Sequence, residues 1–154
     1  EIRKNTRRND AWRAELEERL ETEDGEYRKN PKAFNALIIE HIRRWGGAWS
    51  EKAWTRMEPY FATMAALGKD NNFELKIIIH PVRYQVETQL LHDFPQRRIK
   101  EISARIGAPV LDLLPSLRNA WKNDQAPLFF DHCHHTNRGS ELISQDIEAF
   151  LSER

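Results

Sequence analysis

Phe73-Glu74-Leu75-Lys76-Ile77-Ile78-Ile79-His80-Pro81 is the stretch from which the fold class follows. Ile77 to Ile79 are β-branched, consecutive and wholly apolar, which suits a short strand covered on both faces rather than one facing water. Pro81 cannot donate to a ladder and stops the run. Downstream, the pattern from Pro95 to Ile106 is helical and Gly107 closes it, after which Ala108-Pro109-Val110-Leu111-Asp112-Leu113 reads as a second buried strand. Leu114-Pro115-Ser116 opens a short helix through Trp121, the loop Lys122 to Pro127 follows, and an amphipathic segment from Glu141 to Leu151 ends the chain. Strand, helix, strand, helix at this spacing predicts a parallel sheet with right-handed crossovers, covered by helices.

Upstream, a helix is expected from Ser50 to Leu67, with Ser50 as N-cap, Glu51 in the first turn and Gly68 as the closing glycine. Trp54, Met57, Tyr60, Phe61 and Met64 form its apolar stripe. Two further helical patterns precede it. Trp12, Leu16 and Leu20 share one side of Asn9 to Glu21; Phe34, Leu37, Ile38, His41, Ile42 and Trp45 recur at helical spacing until Gly46-Gly47. The expected organisation is an N-terminal helical segment, residues 1–48, and an α/β part, residues 49–154. Trp45 and Trp49 flank the glycine pair, where a mobile lid is one reading; packing in the core is the expected role of most of the five tryptophans.

Bulk properties narrow the function. The 24 basic and 24 acidic side chains of the 154 residues cancel, so no long-range field draws nucleic acid or an anionic membrane. The basic run Arg3, Lys4, Arg7 and Arg8 is followed by Glu15, Glu17, Glu18 and Glu21 and reads as a solvated helix face. Cys133 is the single cysteine, which excludes an internal disulfide. No apolar stretch is long enough to span a bilayer, and no segment has the three-part pattern of a signal peptide. The first residue, Glu1, stands inside a charged helical pattern, and the expectation is that the chain is the C-terminal part of something longer. The compartment is therefore left open.

Asp131-His132-Cys133-His134-His135-Thr136-Asn137-Arg138-Gly139 is the segment richest in chemistry. An aspartate and a histidine three residues apart, just before a helix, can form the acid–imidazole half of a hydrolytic triad. The carboxylate holds one tautomer, and the free ring nitrogen takes a proton from a nucleophile. The bland alternative is an aspartate that caps a loop beside an unengaged histidine. Asp131, His132, Cys133, His134 and His135 also offer metal-ligand types, with His41, His80 or His92 as a second segment, but adjacent residues rarely converge on one ion. Cys133 reads as a small buried side chain rather than a reactive thiol. His80, Arg83 and Tyr84 follow the first strand at its C-terminal end, the edge that borders ligands in open parallel sheets. They are candidates to line an acyl or alcohol pocket, and a strand-ending turn explains them equally well.

The order of these blocks resembles the C-terminal part of SGNH/GDSL-type hydrolases. The blocks are a helix closed by Ala66-Leu67-Gly68, a strand ending His80-Pro81-Val82-Arg83-Tyr84-Gln85, a helix ending Ile106-Gly107-Ala108-Pro109, Val110-Leu111-Asp112-Leu113-Leu114-Pro115, and Phe130-Asp131-His132-Cys133-His134 with Thr136 and Gly139. In that family an Asp-x-x-His block opens the last helix, and the resemblance covers roughly Trp49 to Leu151. It implies a three-layer α/β/α, flavodoxin-like fold with a parallel sheet, of which this chain would be the C-terminal portion. It implies His134 as general base and Asp131 as the residue that orients it. It further implies an esterase or O-acyl transferase acting on small esters or O-acetylated carbohydrate, with no metal or organic cofactor.

The family's serine nucleophile and its oxyanion glycine and asparagine belong upstream, and no stretch of this chain substitutes for them. Ser50 follows Gly46-Gly47-Ala48-Trp49 with no apolar strand before it; Asn9-Asp10 lacks the glycine; Asn71-Asn72 and Asn123-Asp124 are turn residues. Losing one oxyanion donor costs ~100- to 1,000-fold in rate, and losing the serine costs far more. The chain alone is therefore expected to be nearly inactive. Its natural partner is expected to be the N-terminal part of the same protein, and without it an open sheet edge and bare helix faces favour self-association. The competing expectation is a non-catalytic α/β module whose Asp/His/Cys cluster is structural or binds a metal.

Overall fold

A computed structural model describes residues 46–87, 92–130 and 133–152. These belong to one compact unit, Gly47–Arg154, preceded by the turn that begins at Gly46. A 3₁₀ turn, Gly46–Trp49, leads into helix α1, Glu51–Asn71. Strand β1, Ile77–Ile79, is followed by α2, Arg83–Glu87, and α3, Phe94–Ile106. Strand β2, Val110–Asp112, is followed by α4, Leu114–Asp124, and α5, Asn137–Ser152. Among the described residues the architecture is thus mixed α/β, mostly helical, with a small two-stranded sheet. The strands are parallel, with Ile77 beside Val110, Ile78 beside Leu111 and Ile79 beside Asp112.

Alternation along β1 sends its side chains into two separate apolar clusters. Ile77 and Ile79 join Ala108, with Phe61 of α1 and Ile99 and Ile106 of α3 packed alongside. Ile78 packs with Leu111 against the larger cluster of Val86, Leu113, Leu114, Leu117, Leu128, Phe129 and Ile143. Side chains from helices therefore cover both faces of the strand, which is why three consecutive isoleucines are tolerated there. β2 is less enclosed than expected, since all three of its residues are half-buried.

β1 coincides with the apolar Ile77–Ile79 run, and where it starts is set by its partner. Gly107 takes a left-handed conformation (φ 68°) that caps α3, and the next amide, Ala108 N–H, donates back to the Ser103 carbonyl at 3.1 Å. The Ser103 hydroxyl donates to the Ala108 carbonyl. With Ala108 committed to α3, pairing begins only where the Ile77 amide donates to the Pro109 carbonyl at 2.9 Å.

Helix α1 runs four residues past its expected end at Leu67. Gly68 does not close it; it lies buried inside the last turns, and the left-handed cap is Asn72 (φ 59°). A side chain at 68 would put its Cβ 2.8 Å from the Phe73 carbonyl oxygen, so this glycine admits the returning chain rather than terminating the helix. Ser50 occupies the N-cap position, but its side chain makes no capping bond. Helix α5 begins at Asn137, earlier than the apolar spacing of Glu141–Leu151 implies. No helix among the described residues is long and apolar enough to cross a membrane.

Helix α2 has no counterpart in the sequence pattern and is held by a polar centre. Gln85 and Gln96, each 2% exposed, exchange amide hydrogen bonds of 2.9 and 3.2 Å. The Gln85 oxygen also accepts from the Val82 amide, and the Arg118 guanidinium donates to the Gln85 carbonyl at 2.7 Å, tying α2 to α3 and α4. Removing one partner leaves the other's buried amide unsatisfied, which costs about 1–3 kcal/mol. Gln96→Leu is therefore expected to lower stability by about that amount, and Leu117→Ala, in the larger cluster, by about 2–5 kcal/mol. Urea unfolding midpoints check both; a Gln96→Leu variant as stable as the parent would contradict the polar centre.

Candidate functional site

The Asp131–Gly139 segment is built on a narrow backbone reversal between α4 and α5. Gln125 ends α4 in a left-handed conformation (φ 53°), and the Asp124 carboxylate accepts from the Ala126 amide at 2.9 Å. Leu128 and Phe129 then drop into the core. Phe129 forms an antiparallel bridge with His135. The Phe130 amide donates to the His134 carbonyl at 2.8 Å, and the Thr136 amide donates to the Leu128 carbonyl at 3.0 Å. Extended backbone at His134 and His135 sends neighbouring side chains opposite ways. His134 is exposed, whereas His135 is half-buried. Asp131 and His132 lie outside the described residues, so the expected Asp131–His134 pairing has no geometry to report.

Thr136 and Gly139 join this reversal to α5. The Thr136 hydroxyl donates to the Pro127 carbonyl at 2.9 Å and accepts the Gly139 amide at 3.2 Å, a capping bond at the helix start. A Cβ at Gly139 would overlap the Leu128 carbonyl oxygen, the same oxygen that accepts the Thr136 amide. Only a residue without a side chain lets the first turn of α5 approach so closely. Arg138 adds an ion pair with Asp124 at 2.5 Å, exposed and therefore weak.

The histidines divide into two groups. His134 presents Nδ1 to the Cys133 sulfur at 3.6 Å. His135 turns inward, its ring 4.7 Å from the Phe129 ring and 5.9 Å from that of His80, centre to centre. His80 stands immediately after β1, so the reversal touches the C-terminal end of that strand through the two imidazoles. Burial lowers the His80 pKa. Burial, then the neighbouring His80 and His134, lower that of His135. The Nε2 of His135 is buried and, among the described residues, makes no hydrogen bond.

The other residues placed at the strand end by the sequence are scattered. Arg83 lies on α2 and pairs with Glu87 at 2.6 Å. Tyr84 is 5% exposed and belongs to the core rather than to an open surface. His135, the residue that joins the loop to the strand end, stood out in the sequence only as one more ligand type; the clue is the apolar Leu128-Phe129 run six residues earlier, which can pair back upon it. A surface depression of about 430 Å³ at the opposite end of β1 is lined by Gly68, Lys69, Asn72, Phe73 and Glu74 and holds none of these groups. Among the described residues no three histidine, cysteine or acidic side chains are grouped to hold a metal ion.

No protein-family model, curated protein or solved structure matches the chain.

Gly139→Ala is expected to cost about 1–3 kcal/mol through overpacking against Leu128. Thr136→Ala is expected to cost about 1 kcal/mol through loss of the cap. Thermal unfolding of the two variants measures both; an unchanged midpoint in Gly139→Ala would mean that α5 does not sit against the Leu128 carbonyl.

Proposed function

We propose that this chain supplies the acid–base half of an SGNH/GDSL-type serine ester hydrolase or O-acyl transferase. The substrate class is a small ester or an O-acetylated carbohydrate, and the fold of the whole enzyme would be the three-layer α/β/α arrangement with a parallel sheet. His134 is the general base and Asp131 orients it. His134 takes the serine hydroxyl proton as the oxygen attacks the ester carbonyl, and returns that proton to the departing alcohol. In the second half it activates water, or a sugar hydroxyl, against the acyl-serine and then restores the serine proton. The 154 residues hold no serine block of the required kind, so the reading requires a nucleophile and oxyanion donors on polypeptide outside this sequence.

The observation that carries the reading is the contact between His135 and His80. It sets the loop bearing His134 against the C-terminal end of a parallel strand, the edge at which open α/β sheets bind ligands. The exposure of His134 agrees with a base that must reach a substrate proton. On this reading His80 and Arg83 border the substrate side, and Tyr84 supports them from the core.

A non-catalytic α/β module is the second reading, favoured by the structural duties of Thr136, Gly139 and Phe129, which account for much of the motif without chemistry. Its metal-binding version would need Asp131 or His132.

Labelling separates the two. The 154-residue chain is expected to stay unlabelled by a fluorophosphonate probe, while the chain extended by its upstream coding sequence labels at one serine. In that extended protein His134→Ala is expected to lower ester hydrolysis by on the order of 10⁴-fold or more. Failure of the extended protein to label, or full activity in His134→Ala, would refute the enzyme reading. Met57, Tyr60, Met64 and Leu67 are exposed along one side of α1, at 40–64%. The 154-residue chain is accordingly expected to scatter light as more than a monomer, and a stable monomer that binds no apolar dye would count against a missing partner segment.

A further inference from the structure

We infer that the outward stripe of α1 docks on the same stripe of a second copy of this chain, the two helices lying antiparallel about a two-fold axis near Thr63. The surface lies on the face of β1 covered by α1 and α3, whereas the reversal bearing His134 packs on the opposite face. The inference therefore stands apart from the reading of His134.

Spacing selects a helix as the occupant. Met57, Tyr60, Met64 and Leu67 are 45%, 64%, 40% and 50% exposed and follow one another at intervals of three, four and three residues. That is the a/d repeat, which lines a narrow seam along one helix and interlocks with the side chains of another. The seam is not the side that holds α1 to its own domain. Phe61 packs on the Ile77 and Ile79 cluster instead. Glu51 and Glu58 reach α3, pairing with Arg98 at 2.9 Å and Arg105 at 2.5 Å.

Charge selects a second copy and its direction. Arg56 and Asp70 border the seam on its solvent side, seven residues before and after Thr63. All three are exposed, and among the described residues neither charge forms an ion pair. The two charges lie about 21 Å apart along the axis, too far to meet within one helix. An antiparallel two-fold near Thr63 sets each position after it beside the equivalent position before it. Arg56 of each copy then meets Asp70 of the other, and the two Thr63 side chains meet at the axis. Parallel packing would keep the unlike charges apart. Asp70 also stands in the last turn of α1, where an acid opposes the helix's own dipole and a guanidinium from a second copy offsets it. Within the seam Met57 faces Leu67 of the other copy, and Tyr60 faces its Met64, a sulfur–aromatic contact.

One helix from each copy makes an interface at the small end of specific contacts, below about 1,200 Å² in total. The dimer is accordingly weak and forms as concentration rises.

Sedimentation velocity of the 154-residue chain between about 1 µM and about 1 mM tests this, with the mean mass expected to climb from monomer to dimer and no further. Tyr60→Glu places a charge in the seam and is expected to leave a monomer, with far-UV circular dichroism checking that the helices persist. Met64→Glu serves in its place should Tyr60→Glu lose helical signal. Arg56→Glu and Asp70→Lys are each expected to weaken association about tenfold, since two pairs of unlike charges become two of like charge. An equimolar mixture of these two variants is expected to recover the parental affinity, because both flanking contacts of the mixed dimer again join unlike charges. No packing change within a single chain predicts that recovery. A parent that stays monomeric, whether its stripe is bare or taken by other polypeptide, would overturn the inference. So would assembly beyond a dimer, a dimer that survives a charge in the seam, or no recovery on mixing.

Discussion

The described structure depends on one constraint: a strand of three isoleucines must be covered on both faces at once. Exposing either face would leave large β-branched side chains in water. Burial of an aliphatic side chain contributes about 1.5–3 kcal/mol, so each face needs its own helical cover. Ile77 and Ile79 draw α1 and α3 to one side, and Ile78 draws the α2, α4 and α5 elements to the other. Parallel pairing with β2 then requires a connection long enough to return the chain, which α3 fills. The C-terminal end of β1 is thereby left facing the reversal between α4 and α5.

That reversal concentrates several structural duties in one short span. Phe129 anchors it, Thr136 caps the next helix and Gly139 permits the close approach to Leu128. These fix the backbone on either side of His134 without using its ring. On the proposed reading this suits a general base, whose position is then set by neighbours rather than by its own packing. The inward His135 adds an electrostatic condition, because its buried nitrogen tolerates the neutral ring better than the charged one.

Features legible along the chain were those set by local pattern. The isoleucine run, the glycine closing α3 and the parallel order of strand, helix and strand needed only apolar spacing and backbone propensity. Features that depended on a distant partner were not legible. Gly68 looked like a helix stop and is instead a gap for Phe73. The Ile77–Ile79 strand was legible, but not what sets its start: Ala108 is tied to Ser103, and pairing begins at the Pro109 carbonyl. Helix α2 rests on an amide exchange between Gln85 and Gln96, two residues with no apolar signal at all.

The site divides along the same line. By itself the sequence determined which residue types stand before the last helix, and so which proton chemistry is available there: one acid, three imidazoles and one thiol, with no nucleophilic serine block. Only the tertiary structure decided that His134 faces outward and His135 inward, and that the inward ring meets His80. The physical reason is that strand alternation assigns a side only after a bridging partner is chosen, and that partner, Phe129, is selected by burial in a core assembled from distant helices.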